Sequence, residues 1–163
     1  MTYDAGGRRT RRSHVLPCPP EAHGCGQHLL LAGGSADLPD LRRLVEAAPA
    51  CTYGQVLLEL DSTDDVPADL VGPPRSPGGL GWTILRRELS APLDGPPARR
   101  HGEVLAAALS AWAQEWLTDD QCACSGPYAL WIGCTTSTDV ELLCHELHLR
   151  SEHAPVHVHR PGA

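Results

Sequence analysis

Two glycines follow a short apolar run near the start of the regularly patterned part of the chain. The stretch "LLLAGGSADLPDL" places Gly33, Gly34, Ser35 and Ala36 between four apolar residues and a segment with helical spacing. A strand that turns into a helix in this way offers free backbone amides and the positive end of a helix dipole, which attract anions. Many nucleotide-binding folds begin like this, so the four turn residues are candidates for contacts with a nucleotide phosphate.

Acidic residues occupy the start of the same helix. Asp37 falls in the first turn and Asp40 lies behind it. A carboxylate near a pyrophosphate opposes binding by about 1 kcal/mol at an effective dielectric constant of 20, if the separation is longer than a contact. We therefore expect this turn to bind phosphate several-fold more weakly than a turn without these acids.

Nine histidines and seven cysteines raise the question of a metal site. The candidate ligands are His14, Cys18, His23 and Cys25 near the N-terminus, Cys144, His145 and His148 on one helix, and His157 and His159 on one strand. Their spacings match none of the usual zinc or metalloprotease patterns. We predict no metal, and the absence of a "GxSxG" serine and of a P-loop leaves hydrolase and kinase functions unsupported.

The amino-acid composition limits the classes of partner that this protein can bind. The formal net charge of -7 disfavours nucleic acid and anionic membrane surfaces. No apolar run reaches the roughly 18 to 20 residues of a membrane span, and the N-terminus lacks the apolar core of a secretory signal. Seven scattered cysteines do not resemble a disulfide framework. We predict a cytoplasmic protein with free thiols that binds neither nucleic acid nor membrane.

The hydrophobic pattern predicts alternating strands and helices. The expected strands are 29–31, 55–60, 81–88, 128–133 and 155–160, and the expected helices run from 38 to a stop at Pro49, over 103–117 and over 138–152. Thr138 and Glu141 fit a capping box at the start of the third helix. This order predicts an α/β fold, a Rossmann-like, mostly parallel sheet flanked by helices. Residues 1–27 are expected to be a flexible arm, and 28–163 a single domain.

The same segments resemble a known family. In order and spacing, "LLLAGGSADLPDLRRLVEAAP", "VLLELDSTDD", "WTILRRE" and "YALWIGCTTSTDVELLCHEL" resemble the C-terminal NAD(P)H-binding domain of siderophore-interacting proteins, which are flavin-dependent ferric-siderophore reductases. The resemblance covers roughly residues 28 to 160. It implies a ferredoxin-reductase-type cofactor domain with NAD(P)H as the possible cofactor. In that family a separate N-terminal barrel holds the flavin, and the 27 residues before the first strand cannot build one, so no flavin is expected in this chain.

The resemblance also suggests roles for residues at the ends of two further strands. Arg86 and Arg87 lie where basic side chains of the family meet a ribose phosphate, although they could instead pair with the acidic loop Asp61 to Asp65. Gly133 would permit close approach of a ligand. Cys134 replaces the family's glutamate and is either a reactive thiol at a helix start or a buried, inert cysteine.

Three functions remain open at this point. The first is a stand-alone domain with weak NAD(P)H binding, linked to ferric-siderophore reduction. The second is a non-enzymatic interaction or regulatory module that has lost the cofactor. The third is a subunit that meets a separate flavin-domain protein in trans. A family resemblance is an associational argument for any of them.

Overall fold

A computed structural model describes residues 28–49, 52–70, 79–88, 98–117, 128–151 and 156–161. The elements in chain order are β1 (His28–Gly34), α1 (Leu38–Ala47), β2 (Tyr53–Asp61), β3 (Leu80–Arg87), α2 (Glu103–Trp116), β4 (Tyr128–Ile132), α3 (Thr138–Ser151) and β5 (Val156–His159). Short 3-10 turns cover Ser35–Asp37 and Ala68–Leu70. Every predicted strand and helix is therefore present. The predicted arm, residues 1–27, lies outside the described residues.

The five strands form one sheet in the order β3-β2-β1-β4-β5, and each neighbouring pair is parallel. The leucine run of β1 is the central strand, paired with β2 on one side and β4 on the other. The strand order reverses at β1, as in the doubly wound Rossmann topology. The predicted Rossmann-like α/β fold is thus confirmed, and the described sheet is parallel throughout.

Each face of the sheet has its own apolar core, because successive side chains of a strand point to opposite faces. Leu30 contributes to the core formed with α2 and α3, which also contains Leu105 and Leu147. Leu31 contributes to the core formed with α1, which contains Leu41. Burial on both faces explains why β1 and β2 read as continuous apolar runs rather than as alternating patterns.

The helix ends follow from local sequence. Proline is tolerated near the start of α1, since the first turn of a helix has no backbone donors to lose. The predicted capping box of Thr138 and Glu141 is wrong, because the capping residue lies one position earlier and Val140 cannot return its bond. Helix α3 already begins at Thr138, and the Val140 amide donates to the Ser137 hydroxyl at 3.3 Å. Ser137 is thus the capping residue, a preferred type at this position.

An aromatic cluster surrounds His28 at the amino end of the sheet. The imidazole stacks on Tyr53 with ring centroids 4.9 Å apart and meets the ring of Trp116 edge-on at 4.7 Å. Rings of Trp112 and Tyr128 lie within 5.7 Å and 5.0 Å. His28 is buried, and burial lowers its pKa from 6.5 because the charged imidazolium is poorly solvated there.

No helix within the described ranges is long and apolar enough to span a bilayer.

Candidate functional site

The carboxyl ends of β1 and β4 bound a crevice at the point where the strand order reverses. In open parallel sheets, ligands bind in this position. The structure brings the predicted residues Gly33 and Gly34 of β1 to one side of the crevice and Gly133 and Cys134, which follow β4, to the other. The Gly133 amide continues the pairing across it, donating to the Ala32 carbonyl at 2.8 Å.

The carboxylate of Asp37 occupies this crevice. Its Oδ2 atom accepts hydrogen bonds from the backbone amides of Gly34 and Cys134, each at 2.9 Å. Asp37 immediately precedes α1 but makes no side-chain capping bond to that helix. The negative charge expected near the helix start therefore lies between the two strand ends, where it uses the amides that an anionic ligand would need.

Two of the predicted glycines make room for this carboxylate. A Cβ atom at Gly133 would come within 2.5 Å of the Asp37 Cγ atom, and one at Gly33 would come within 2.7 Å of its Cβ. Such distances are impossible without movement of one group. Gly133 thus permits a close approach, but the group that approaches is a side chain of the protein. Ser35 and Ala36 form the exposed turn beside it.

The predicted arginines lie at the carboxyl end of β3 and contact the acidic loop after β2. Arg86 donates to the carbonyl oxygens of Asp61 and Asp64, the first at 2.7 Å. Arg87 forms an ion pair with the Asp61 carboxylate. This is the pairing that the sequence left open as the alternative, and Arg86 itself is exposed. A role of either arginine toward a nucleotide stays a prediction.

Cys134 lies next to a histidine that the sequence did not single out. Its Sγ atom is 3.3 Å from Nε2 of His101, in the turn before α2. The other imidazole nitrogen, Nδ1, is 3.7 Å from Oε1 of Glu59, which lies near the end of β2. A thiol, an imidazole and a carboxylate therefore follow one another in a row at the carboxyl edge of the sheet.

Glu59 is held rigidly. Only 2% exposed, it accepts hydrogen bonds from the amides of Gly102 at 2.7 Å and Leu105 at 2.8 Å. The carboxylate thereby satisfies free donors at the start of α2 and lies at the positive end of the helix dipole. Arg87 supplies a guanidinium nitrogen 3.4 Å away. A buried acid inside "QVLLEL" was the available sequence signal, because charged side chains are rarely buried without partners.

The backbone at Cys134 is unusual for a residue other than glycine. Its φ is 57°, in the left-handed region. Such conformations are costly and collect at functional sites, where surrounding contacts hold them. Cys134 is 4% exposed, and the pKa of its thiol is raised from 9.0 to about 12 by burial, by Asp37 and by Glu59. At neutral pH Cys134 is therefore a protonated thiol beside an imidazole.

Cys134, His101 and Glu59 are not grouped as the ligands of a metal ion. Across the described residues, no three side chains of the His, Cys, Asp or Glu type converge on one point as metal ligands do. The N-terminal candidates, from His14 to Cys25, lie outside the described residues.

Comparisons with protein-family models, with curated proteins and with solved structures give no match to this chain. The fold is thus established as a parallel five-stranded α/β sheet with flanking helices, without assignment to a family.

Proposed function

We propose that this chain is a Rossmann-like interaction or regulatory module whose dinucleotide crevice is closed by Asp37, so that it works without a bound NAD(P)H. The observation that carries the proposal is the pair of 2.9 Å hydrogen bonds from Gly34 and Cys134 to one Asp37 oxygen. The Gly34 amide lies at the end of β1 and the Cys134 amide just after β4, the two strands that meet at the switch point, where such folds bind their ligands.

The free energy of the two hydrogen bonds favours the Asp37 carboxylate over a ligand phosphate in the crevice. A hydrogen bond to a charged group contributes about 1.5 to 3 kcal/mol, and a phosphate would have to displace two of them. Loss of about 3 kcal/mol corresponds to roughly a hundred-fold in affinity. The carboxylate is already in place at no association cost, whereas a ligand loses translational freedom when it binds. Millimolar nucleotide is therefore expected to leave the crevice unoccupied.

Weak NAD(P)H binding, with a separate flavin-domain protein as hydride partner in the manner of the siderophore-interacting reductases, is the second candidate. It is favoured by Arg86, which is exposed at the same carboxyl edge of the sheet. Its guanidinium now donates to two backbone carbonyls of the acidic loop. If the oxygens of a ribose phosphate replaced these neutral carbonyls, each bond would have a charged acceptor as well as a charged donor, which makes it stronger.

Titration with NADPH, followed by calorimetry and by the ligand-induced shift in Tm, separates the two candidates. The wild type should give neither heat nor a shift at millimolar nucleotide, and Asp37→Ala should bind. The matched control is Asp40→Ala, which also removes one negative charge near the start of α1. In the wild type Asp40 pairs with Arg43 and lies outside the crevice.

Binding by the wild type, weakened by Arg86→Ala, would instead establish the second candidate. If Asp37→Ala folds but binds no better than the control, Asp37 is not what closes the crevice.

A further inference from the structure

Beyond the closed crevice, we propose that Cys134, His101 and Glu59 form a nucleophilic relay for activated acyl groups, in which Asp37 occupies the oxyanion position. The relay is built from three elements that meet at the carboxyl edge of the sheet. Cys134 follows β4, His101 precedes α2, and Glu59 lies near the end of β2. The distances are 3.3 Å from thiol to imidazole and 3.7 Å from imidazole to carboxylate.

The order of groups matches that of nucleophile, base and orienting acid. A nucleophile beside a base, which is itself oriented by a third group, is the arrangement that activates a thiol or hydroxyl. The thiol can donate to Nε2 of His101, which leaves the hydrogen on Nδ1 directed at Glu59. The 3.7 Å separation is longer than a hydrogen bond, as catalytic contacts often are without a substrate.

The backbone supports the same interpretation. Cys134 has a φ of 57° at a strand-to-helix turn, and a strained turn of this kind carries the nucleophile of many hydrolases, although the thiol of Cys134 is buried. The amide of Cys134 and that of Gly34 point at a single oxygen atom of Asp37. Two amides that share one anionic oxygen, one of them from the nucleophile itself, are the donors of an oxyanion hole.

The row of three side chains reaches solvent at the imidazole. The His101 side chain is 47% exposed, whereas Cys134 is buried. A Cβ atom at Gly34 would lie 3.3 Å from the His101 ring and 3.4 Å from the Cys134 Sγ atom. Gly34 thus packs closely beside the thiol, the imidazole and the Asp37 carboxylate, and a methyl group there would press on the His101 ring, so a substrate must displace neighbouring side chains to reach the thiol.

The reaction balances without a cofactor. Sγ attacks the carbonyl carbon of an ester or thioester, and the thiol proton passes to Nε2 of His101. The carbon–leaving-group bond breaks, and His101 returns the proton to the leaving alcohol or thiol. Water then attacks the thioester carbonyl and gives one proton to Nε2 of His101. The carbon–sulfur bond breaks, His101 returns the proton to Sγ, and the carboxylic acid is released. Asp37 must leave the two amides before the carbonyl oxygen can use them.

The test uses p-nitrophenyl acetate with the full chain at neutral pH. We expect slow release of p-nitrophenolate from the wild type, with the acetyl group located on Cys134 by peptide mass mapping. Asp37→Ala should increase this rate at least tenfold, because it frees both amides. Asp37→Asn retains an oxygen that accepts from them and should increase the rate less. Cys134→Ala defines the background from the other cysteines.

Two further variants separate catalysis from structure. His101→Gln should lower the acetylation rate of Cys134 roughly a hundred-fold, the size of a general-base contribution. Cys144→Ala is the matched control, since Cys144 is also buried, has a raised pKa and lies in α3. It should leave the rate on Cys134 unchanged.

Equal acetylation of Cys134 and Cys144 in the wild type would overturn the proposal, as would a rate on Cys134 that His101→Gln does not change. If Asp37→Ala does not fold, these two comparisons still decide the question. NADPH binding is measured separately, so failure of the relay leaves the closed crevice untouched.

Discussion

Gly102 lies against Ser137 so closely that a Cβ atom on it would come within 2.1 Å of the serine Oγ atom. The same hydroxyl donates to the His101 carbonyl at 2.9 Å and accepts from the Val140 amide. One contact therefore joins the start of α2 to the start of α3. It also fixes the backbone of the residue that carries the imidazole of the relay.

Substitution of Gly102 should be severely destabilising. Its φ of 78° costs an L-residue about 1 to 2 kcal/mol, and the clash with Ser137 adds to this. We expect Gly102→Ala to lower the free energy of unfolding by at least about 2 kcal/mol in urea denaturation. Ala107→Gly, at an exposed position inside α2, is the control and should cost about 1 kcal/mol. Equal losses would show that the Ser137 contact can relax.

Neutralisation of Glu59 should weaken the start of α2. A glutamine has one acceptor oxygen where the carboxylate uses two, so the amide of Gly102 or Leu105 would face an NH₂ group. An unpaired buried donor costs about 1 to 3 kcal/mol. We expect Glu59→Gln to lose about 2 kcal/mol of unfolding free energy, whereas Glu103→Gln, at a half-exposed position, should lose less than about 1 kcal/mol. A smaller loss for Glu59→Gln than for the control would contradict this role.

Stability should fall in alkaline solution because of Cys134. Its pKa is raised from 9.0 to about 12 in the folded chain, so the unfolded chain releases the proton first. The stabilisation is complete below pH 9.0 and is lost as the pH rises toward 12. Between pH 8 and pH 10 the wild type should lose about 1.4 kcal/mol more unfolding free energy than Cys134→Ala. Identical pH profiles would show that the thiol is better solvated than the structure indicates.

His28 should make the protein sensitive to acid. Its pKa is lowered by burial, so the unfolded chain takes up a proton at higher pH than the folded chain. The stabilisation is present above the unfolded value of 6.5 and is lost as the pH falls through the folded value. His28→Phe keeps a ring against Tyr53 and cannot ionise, so its Tm should depend less on pH between 7 and 5. His145→Gln, at an exposed position, should behave like the wild type.

The sequence predicted the sheet because its strands are buried on both faces. Leu30 and Leu31 face different cores, and such runs between glycine or proline turns leave few alternatives to a central parallel strand. In the structure the glycine turn, Gly133 and Cys134 lie at one edge of this sheet, since the carboxyl ends of parallel strands meet there, and their role toward a nucleotide stays a prediction.

Two parts of the site could not be predicted from local patterns. His101 and Glu59 are far apart in sequence and follow no motif, and they meet Cys134 only because the turn before α2 packs against the ends of β2 and β4 in the folded chain. The orientation of Asp37 was missed for a similar reason. Acidic residues in a first turn usually accept from nearby amides, and Asp37 does accept from Gly34, but its second bond is to an amide 97 residues away.

The bond from Asp37 to Cys134 makes the two halves of the sheet depend on each other. In nucleotide-dependent domains a bound ligand often bridges the strand ends and stiffens the fold when it is present. Here a side chain of the protein makes the bridge, through the two hydrogen bonds from Gly34 and Cys134 to Asp37. A molecule that displaces the Asp37 carboxylate would break both hydrogen bonds as it binds. Its binding would therefore change the contacts at the starts of α1 and α3.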